Sequence, residues 1–563
     1  MDSKYKSLVY DSSVYVSIRD MLETTHNKYP ENTAFKYRDN GIIKSVTYEN
    51  VYENVKEFAS YLTSLGLKGK KIAVMGKNSY YWSLTYLTVC SSVGVIVPVD
   101  RDLQEEQVNF ILDDSETSCI IYSQEEEKKF ENRKDNVIYL KATELETYLS
   151  EGRKMREEGD RAYENYKPDP FSLGILLYTS GTTGQSKGVM LSQYNICSNV
   201  TAVKKIIAIY ETDVFLSVLP LHHTYECMSG FLSTFCSGSC VCYNESIRSI
   251  MQDLQIFKPT VVIGVPLLFE KIYFMILKKY SNIKGGMTLF GIQKAFASVL
   301  DSENARRRIF KSVNDAFGGR LQRILCGAAS LKPEVYSGYE NFGYKVYVGY
   351  GLTETSPVIC VHSDSYRSSD DVGMPMPGIE VKIDDPNENG VGELIVRGPN
   401  VMIGYYKNEE ATNEAIRDGW FHTGDLARIK ENGAVKIMGR VKSMIVLQNG
   451  KKVFPEELEF MIDGHKEIKE SFVFALTEDD KTIITASVYP DVDEIEKSMK
   501  QQKDNKLSYE EYEKKVINEI IDKVNSGFPQ YKEIKKIIIR KTEFIKTTTS
   551  KIKRNLEENM REE

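Results

Sequence analysis

Apolar residues are arranged along most of the chain in two patterns: one has the periodicity of helices, and the other consists of short runs typical of buried strands. In the first clear helical segment, apolar residues recur every three or four positions: Val51, Val55, Phe58, Leu62 and Leu65. This spacing places them on one face of a helix. Thr47 is suited to cap this helix, and Gly66 is suited to end it.

The short apolar runs that follow are bounded by Gly, Pro or polar loops, which predicts buried strands. The runs are Lys71–Gly76, Gly174–Tyr178, Val214–Leu219, Val261–Val265, Arg323–Cys326 and Lys345–Gly349. Helical patterns lie between them, as in βαβ units. The expected fold class is therefore α/β.

The pattern changes near Pro386, where Glu393–Arg397 and Ala434–Met438 read as strands joined by turns rich in Gly and Asn. After Arg440, a segment rich in Lys, Glu and Ile predicts amphipathic helices and a few strands. A chain of 563 residues is too long for a single core. We therefore expect a large N-terminal domain, residues 1–440, and a small α+β C-terminal domain, residues 441–563.

Composition narrows the class of protein. Hydrophobic residues make up 41% and charged residues 27%, as in ordinary soluble proteins, and the net charge of −7 argues against a general nucleic-acid binder. The first residues lack the apolar core of a secretory signal, and the apolar stretch from Leu84 to Val99 is too short to span a membrane. We therefore expect a cytoplasmic protein. Three close cysteines fit buried free thiols better than a metal site or a disulfide: Cys236, Cys240 and Cys242.

A loop rich in glycine and hydroxyl groups follows one predicted strand, in the sequence Tyr178-Thr-Ser-Gly-Thr-Thr-Gly-Gln-Ser-Lys-Gly188. Glycines let the backbone approach a bound group closely, and N–H groups, hydroxyls and an ammonium suit phosphate oxygens. The loop lacks the Gly-Lys-Ser/Thr order of the Walker pattern. It therefore predicts a phosphate-binding loop of another kind, with a flexible surface loop as the alternative.

Two further loops carry groups suited to a nucleotide. Gly349-Tyr-Gly-Leu-Thr-Glu-Thr355 presents a ring that can stack on a base and a carboxylate, Glu354, that can hold Mg²⁺. Gly419-Trp-Phe-His-Thr-Gly-Asp425 presents a carboxylate that can accept hydrogen bonds from ribose hydroxyls. Taken alone, the first is equally consistent with an ordinary turn, and the second with a solvated aspartate.

Two basic segments complete an ordered set of five: Gly439-Arg-Val-Lys-Ser443 and Thr547-Thr-Thr-Ser-Lys-Ile-Lys-Arg554. In this order and at these distances, the five segments resemble the adenylate-forming family, which contains acyl-CoA synthetases, luciferases and the adenylation domains of peptide synthetases. The resemblance extends from about Ser17 to Arg554. It implies an N-terminal domain of several subdomains and a small, mobile C-terminal lid.

The resemblance also implies roles for the matching residues. Those implied to bind ATP or AMP are Thr179, Ser180, Gly181, Thr182, Thr183, Gly184, Lys187, Gly327, Ala328, Tyr350, Gly351, Thr353, Asp425, Arg440 and Lys551. Within this set, Tyr350 matches the ring that stacks on adenine, and Asp425 and Arg440 match the ribose-binding pair. Glu354 matches the Mg²⁺ ligand, and Lys442 matches the hinge. The implied catalytic residues are Lys551, Lys187, Glu354 and His223.

The implied reaction has two steps. A carboxylate attacks the α-phosphorus of ATP and expels pyrophosphate, and a thiol then attacks the acyl-adenylate. Both reactants of the first step are anions, so catalysis is mostly positioning and charge neutralisation. Lys551 and Mg²⁺ would supply the positive charge. The small domain would rotate about Lys442 between the two steps.

One segment points to the acid. Leu219-Pro-Leu-His-His-Thr-Tyr-Glu226 is similar to a stretch of long-chain fatty acyl-CoA synthetases, with His223 and Glu226 at its fixed positions. The segments from Gly264 to Tyr273 and from Phe317 to Val335 also resemble that branch. The residues implied to lie near the acyl substrate are His223, Gly327, Ala328 and Ala329. The expected substrates are therefore a medium- or long-chain fatty acid, ATP and CoA.

Alternatives remain open. The acid could instead be aryl or short-chain, the acceptor could be the phosphopantetheine arm of a separate acyl carrier protein, or the fold could be an inactive scaffold. A scaffold has little reason to keep Lys187, Glu354, Asp425, Arg440 and Lys551 together. A lipid substrate is compatible with peripheral membrane contact, although the sequence shows no recognisable anchor.

Overall fold

The computed structural model describes residues 13–39, 41–133, 135–179, 186–327, 331–448, 451–478, 481–501, 507–546, 552–554 and 556–561. The strands are β1 (Thr33–Asp39), β2 (Ile42–Thr47), β3 (Lys71–Met75), β4 (Val95–Val99), β5 (Cys119–Tyr122), β6 (Ile138–Lys141), β7 (Leu173–Thr179), β8 (Lys187–Ser192), β9 (Val214–Ser217), β10 (Cys240–Tyr243), β11 (Val261–Gly264), β12 (Arg323–Cys326), β13 (Lys345–Gly351), β14 (Val358–Val361), β15 (Met374–Pro375), β16 (Glu380–Asp384), β17 (Gly392–Arg397), β18 (Gly404–Tyr405), β19 (Ile416–Arg417), β20 (Trp420–Ile429), β21 (Val435–Arg440), β22 (Ile445–Val446), β23 (Lys452–Val453), β24 (Ile468–Glu478), β25 (Lys481–Pro490) and β26 (Ile534–Ile539).

The α-helices are α1 (Ile18–Lys28), α2 (Tyr48–Ser64), α3 (Tyr80–Thr88), α4 (Glu105–Asp114), α5 (Leu145–Glu157), α6 (Ala162–Asn165), α7 (Gln193–Ile206), α8 (Ser233–Phe235), α9 (Ile250–Phe257), α10 (Pro266–Ser281), α11 (Gly286–Ser298), α12 (Glu303–Ile309), α13 (Lys311–Ala316), α14 (Pro333–Asn341), α15 (Glu409–Ala415), α16 (Pro455–Ile462), α17 (Val492–Gln501) and α18 (Tyr509–Ser526).

Two large sheets dominate the first part of the chain. The nine-stranded sheet has the order β15-β14-β13-β12-β11-β9-β10-β1-β2, and the seven-stranded sheet has the order β18-β8-β7-β4-β3-β5-β6. Both have parallel centres. The nine-stranded sheet is antiparallel at both edges, whereas the seven-stranded sheet is antiparallel at the β18-β8-β7 edge and parallel at the β6 edge. Helices follow most of the parallel strands, as right-handed βαβ connections require. The predicted α/β class is confirmed.

Three smaller sheets follow in the sequence. One has the order β16-β17-β20-β19 with β21 beside β20, one pairs β22 with β23, and one has the order β24-β25-β26. Ile517, Ile521 and Val524 of α18 pack with Ile484 and Val488 of β25 in a separate apolar core. The predicted mixture of helices and strands after Arg440 is therefore confirmed.

The chain forms two compact units. The first comprises Met1–Val381, Val396–His422 and Lys430–Val435, and the second comprises Lys382–Ile395, Thr423–Ile429 and Lys436–Glu563. Two segments of the second unit, Lys382–Ile395 and Thr423–Ile429, come before its main part in the sequence. A single domain boundary therefore does not describe this division. The predicted domains, 1–440 and 441–563, stay a prediction.

The first predicted helix shows how local sequence sets its own limits. The side chain of Thr47 accepts a hydrogen bond from the backbone N–H of Asn50, which is an N-cap interaction, and α2 then runs to Ser64. Gly66, just past the helix end, has φ of +78°, a conformation that favours glycine. The apolar face of α2 is buried, as its spacing predicted.

All nine cysteines are buried and free in this structure. In the described part of the chain, no helix has both the length and the apolar content needed to cross a membrane.

Candidate active site

Three of the predicted site residues lie at or just after the carboxyl ends of strands that are close together in the nine-stranded sheet. His223 lies in the connection after β9, Gly327 lies directly after β12, and Tyr350 lies near the end of β13. Strands β13, β12, β11 and β9 are neighbours in that order and run parallel. Their carboxyl ends therefore meet at one edge of the sheet, which is where ligands bind in open α/β sheets.

Gly327 and Gly351 lie where neighbouring atoms leave no room for a side chain. A Cβ atom on Gly327 would lie 2.7 Å from the ring of Tyr225, and one on Gly351 would lie 1.8 Å from the carbonyl oxygen of Pro357. Both distances are far below van der Waals contact. Packing therefore requires glycine at both positions.

The predicted phosphate loop begins and ends on paired residues of the seven-stranded sheet. Thr179 ends β7, Lys187 begins β8, and the two residues are partners in this antiparallel pair. Strand pairing therefore holds the two ends of the loop close together. Five predicted ATP-binding residues belong to the loop and lie outside the described residues: Ser180, Gly181, Thr182, Thr183 and Gly184.

The side chain of Tyr405 lies between Lys187 and Glu354. Its hydroxyl donates a 2.9 Å hydrogen bond to Oε1 of Glu354, and Nζ of Lys187 lies 5.2 Å from the centroid of its ring. Burial and the adjacent Glu354 carboxylate raise the pKa of Tyr405, so the phenol keeps its proton and remains the donor. The structure thus brings together the predicted phosphate-loop lysine and the predicted metal ligand.

Sequence reasoning missed Tyr405, because nothing nearby distinguishes it from Tyr406. The hydroxyl of Tyr406 instead accepts a 2.8 Å hydrogen bond from Lys71, and its ring lies 5.0 Å from Nζ of Lys407. Strand pairing places Tyr405 at the site, because β18 lies beside β8 and pairs Tyr405 with Val189. Such a pairing joins residues far apart in sequence.

Glu354 offers an oxygen suited to a magnesium ion. It lies with Thr353 on a short 3₁₀ turn, Thr353–Thr355, and its backbone oxygen accepts a 2.8 Å hydrogen bond from Met402. Among the described residues, no group donates to its second carboxylate oxygen, Oε2. Mg²⁺ commonly uses one or two carboxylates and completes its shell with phosphate and water oxygens. The donor chemistry of this position therefore fits Mg²⁺.

The turn that carries His223 is held by residues that follow strands of the seven-stranded sheet. Asn78, after β3, donates a 2.7 Å hydrogen bond to the backbone oxygen of Leu219, and Asp100, after β4, lies 3.5 Å from Nε2 of His222. Burial opposes ionisation of Asp100, but the adjacent His222 imidazole outweighs it and lowers the pKa of Asp100. The rings of His222 and His223 are 4.2 Å apart. Asn78 and Asp100 thus fix this turn, and neither carried a sequence signal.

The predicted ribose pair is formed within the second unit. Nε of Arg440 donates a 2.6 Å hydrogen bond to Oδ1 of Asp425, and Asp425 is almost completely buried. The backbone N–H of Asp425 donates to the hydroxyl of Thr423, which fixes the orientation of the turn. Lys442, the predicted hinge, is exposed on the 3₁₀ turn Val441–Ser443 that directly follows β21.

Two described residues that follow the predicted catalytic lysine make contacts elsewhere in the second unit. Ile552 forms a β-bridge with Lys546, and the guanidinium of Arg554 makes an ion pair with the Glu459 carboxylate. Burial raises the pKa of Glu459 to about 6, although the charge of Arg554 opposes the shift. Three predicted residues lie outside the described chain in addition to those of the loop: Ala328, Ala329 and Lys551.

Two family models match the chain. One described as AMP-binding enzyme matches residues 22–406, and one described as AMP-binding enzyme C-terminal domain matches residues 442–560. The first match alone covers more than half of the 563 residues.

Known proteins resemble the chain over most of its length. Fatty acyl-CoA synthetase B of Dictyostelium discoideum is 28% identical over 539 residues, which cover 86% of this chain and 78% of that protein. A chloroplastic Arabidopsis thaliana ligase, named for long-chain fatty acids and acyl carrier protein, is 28% identical over 576 residues, with the same 86% and 78% coverage. The ATP-bound structure of MatB from Rhodopseudomonas palustris superimposes with a TM-score of 0.74 at 21% identity, covering 96% of this chain and 98% of that one. Together with the matched family models, these findings show that the chain belongs to the AMP-binding enzyme family.

Proposed function

We propose that this chain is an ATP-dependent fatty acyl-CoA synthetase. The carboxylate of a medium- or long-chain fatty acid attacks the α-phosphorus of ATP and expels pyrophosphate. The thiol of CoA then attacks the acyl carbonyl and expels AMP. The observation that carries this proposal is the contact of Tyr405 with both Lys187 and Glu354. Lys187 begins β8, Tyr405 ends β18, and Glu354 follows β13.

The first step joins two anions, so the residues around the phosphates must neutralise charge. Thr179 and Lys187 hold the two ends of the phosphate loop, and the ammonium of Lys187 attracts the outer phosphates of ATP. The Glu354 carboxylate would hold Mg²⁺, and the ion would withdraw charge from the phosphate oxygens. Tyr405 orients the Glu354 carboxylate by occupying one of its oxygens.

The remaining nucleotide contacts follow the family pattern. Tyr350 stacks on adenine, Thr353 contacts a phosphate, and Asp425 with Arg440 binds the ribose. Support for the ribose role comes from the buried side chain of Asp425, which a hydrogen bond from Arg440 holds in a fixed orientation. Lys551 acts as the catalytic lysine, and Lys442 acts as the hinge between the two half-reactions.

The acyl chain lies near His223 and the small residues Gly327, Ala328 and Ala329. Support for this position comes from His223 and Gly327, which lie at the same edge of the nine-stranded sheet as Tyr350. The fatty nature of the acid is supported by relatives named as long-chain or fatty acyl-CoA synthetases. One relative is named as a ligase that acts on acyl carrier protein, so the phosphopantetheine arm of such a carrier is the second candidate acceptor.

The test is pyrophosphate release by the purified protein with Mg-ATP. Palmitate, octanoate, acetate and benzoate would each be assayed with and without CoA. We expect turnover with a fatty acid that depends on CoA, because each thioester formed frees the site for another cycle. A single burst that CoA does not extend, but that holo acyl carrier protein does, would move the acceptor to a carrier arm. Turnover only with benzoate or acetate would refute the fatty-acid assignment.

The hydroxyl of Tyr405 gives a prediction that isolates its role as a positioning residue. We expect Tyr405→Phe to reduce kcat/KM for Mg-ATP about tenfold, because one hydrogen bond to a charged carboxylate is lost. Raising the Mg²⁺ concentration should recover part of the loss, since the substitution loosens a magnesium ligand. The measurement is steady-state kinetics at several Mg²⁺ concentrations.

Tyr406→Phe is the matched control for this prediction. It removes a hydroxyl from the neighbouring residue, whose partners are Lys71 and Glu116 rather than Glu354. We expect nearly unchanged kinetics. Equal defects in the two variants, or a Tyr405→Phe defect that does not depend on Mg²⁺, would contradict the proposed role.

A further inference from the structure

One helical hairpin of the first unit carries apolar side chains on its outer surface. We define it as α10, α11 and the four residues that join them, from Pro266 to Ser298. Its exposed apolar residues, with the adjacent Val299, are Leu267, Phe274, Met275, Ile283, Met287, Leu289, Ile292, Phe296 and Val299. A concentration of exposed apolar side chains on one surface element marks an interaction site on a folded protein.

The core fixes which face of α11 points outward. Phe290 packs against the rings of Tyr280, Phe310 and Phe342, at centroid distances of 5.1, 5.8 and 6.3 Å. Gln293 accepts a 3.0 Å hydrogen bond from the hydroxyl of Tyr280. Because these contacts hold the helix on its inner side, α11 cannot rotate to bury its outer residues without losing a packed core.

The outer face of α11 is a continuous apolar stripe. Leu289, Ile292, Phe296 and Val299 are separated by three, four and three residues, which places them in a row on one side of a helix. Phe296 is 64% exposed and Val299 is 77% exposed. A surface helix of a monomeric protein normally carries polar residues here, so the stripe requires a partner.

The charge around the stripe identifies the kind of partner. From Lys271 to Leu300 the chain contains five lysines and no aspartate or glutamate. The lysines are all exposed: Lys271, Lys278, Lys279, Lys284 and Lys294. Among the residues that the structure describes, none of the five lies within ion-pair distance of a carboxylate. The nearest preceding acid, Glu270, is half-buried and faces Lys332.

We propose that this hairpin docks on the surface of a bilayer that contains anionic lipids. Exposed apolar residues next to unpaired lysines are the signature of helices that lie in the membrane interface. The apolar side chains enter the boundary between headgroups and acyl chains, and the lysines pair with lipid phosphates. This inference does not depend on which acid the enzyme activates.

The hairpin is directly connected to the edge that carries the candidate acyl site. Helix α10 starts just after β11, and the backbone oxygen of Gly264 at the end of β11 accepts a 3.3 Å hydrogen bond from Gly327. A bilayer-bound hairpin therefore places this edge within one helix length of the lipid, about 24 Å for sixteen residues. Such docking suits an enzyme whose substrate partitions into membranes.

The test is flotation of the full chain with phosphatidylcholine vesicles, with and without about 30% phosphatidylglycerol, at low and high salt. We expect binding only to the anionic vesicles, with weaker binding at high salt. The triple variant Lys278→Gln, Lys279→Gln, Lys284→Gln should lower the partition coefficient by roughly tenfold to a hundredfold. The triple variant Leu289→Gln, Ile292→Gln, Phe296→Gln should lower it by at least about tenfold.

Matched controls alter similar residues elsewhere in the first unit. Ile42→Gln with Ile43→Gln removes two exposed apolar side chains, and Lys68→Gln with Lys70→Gln removes two exposed lysines. Both controls should bind vesicles like the wild type. The far-UV circular dichroism spectrum and the thermal unfolding midpoint should be unchanged in every variant, which shows that the variants fold.

Three outcomes would overturn the proposal. Binding could be independent of anionic lipid, or the hairpin variants could bind no worse than the controls. The wild type could also fail to bind vesicles but sediment as a dimer that the hairpin variants dissociate. That last result would assign the hairpin to contact between two copies of the chain.

Discussion

Replacing Lys551 with alanine should slow acyl-adenylate formation by roughly a thousandfold, the cost of removing a group that stabilises transition-state charge. The lysine is expected to act only in the first half-reaction, where pyrophosphate leaves. The second half-reaction, from preformed acyl-adenylate and CoA, should keep most of its rate. Single-turnover pyrophosphate release and thioester formation, measured separately, test both statements.

Lys553→Ala is the matched control for Lys551→Ala. Lys553 is exposed, and the hydrogen bonds to it are made by its backbone: its N–H donates to the carbonyl of Ile545, and its carbonyl accepts from Leu556 and from the side chain of Asn559. Ile552 and Arg554 anchor the segment on either side of it, so neither alanine should unfold the region. Equal losses in the two half-reactions would point to a damaged lid rather than to a missing cation. Full adenylation activity in Lys551→Ala would refute the assignment.

Much of the fold could be predicted because local sequence decides it. The strand predicted at Arg323–Cys326 is β12 residue for residue, since polar and glycine residues bound a short apolar run. The helix after Thr47 begins where its cap predicts. The order of strands in the sheets could not be predicted in this way. It depends on pairings such as β1 with β10, which join residues about two hundred positions apart.

The candidate site likewise contains residues that local sequence could predict and residues that it could not. The loops that carry Lys187, Glu354 and Asp425 have compositions that suggest their chemistry, so sequence alone proposes them. Tyr405 and Asp100 have no such local signal, because each matters only through a partner from a distant strand. Resemblance to a family supplied roles for residues in motifs, and the structure added residues that hold those motifs in position.

The apolar hairpin was missed for a different reason. In sequence, Leu289, Ile292, Phe296 and Val299 look like the buried stripe of an ordinary helix. Only the structure shows that Phe290 and Ala297 form the buried face and that the stripe is outside. A helix with apolar residues on two faces gives a periodicity that does not reveal which face the core uses.

Glu226 lies in an environment that disfavours its charge. It is completely buried in the π-helical turn Glu226–Leu232, just after the turn that carries His223. Neither of its carboxylate oxygens has a hydrogen bond of good geometry among the described residues. Burial raises the pKa of Glu226 to about 8, although the nearby Ser217 hydroxyl and Leu219 amide oppose the shift. The carboxyl is therefore neutral at pH 7.

Because the pKa of Glu226 is raised in the folded protein, the free energy of unfolding should fall as the pH rises. Between its ordinary pKa, near 4.5, and about 8, the folded protein binds a proton at Glu226 that the unfolded chain has released. Stability from this group is therefore complete at low pH and is lost as the pH rises towards 8. The free energy of unfolding of the wild type should fall by on the order of 4 kcal/mol between pH 5 and pH 8, relative to Glu226→Gln.

The Glu226→Gln variant keeps the shape of the neutral carboxyl and cannot ionise, so it should be the more stable protein at pH 8 and close to the wild type at pH 5. Glu211→Gln, at an exposed position, should follow the wild type at every pH. Urea unfolding of the three proteins at pH 5, 6.5 and 8 makes the comparison. Parallel pH profiles for wild type and Glu226→Gln would show that the buried carboxyl ionises as easily in the folded protein as in the unfolded chain. The carboxylate would then have to be stabilised in the fold, for example by reorientation of the Ser217 hydroxyl.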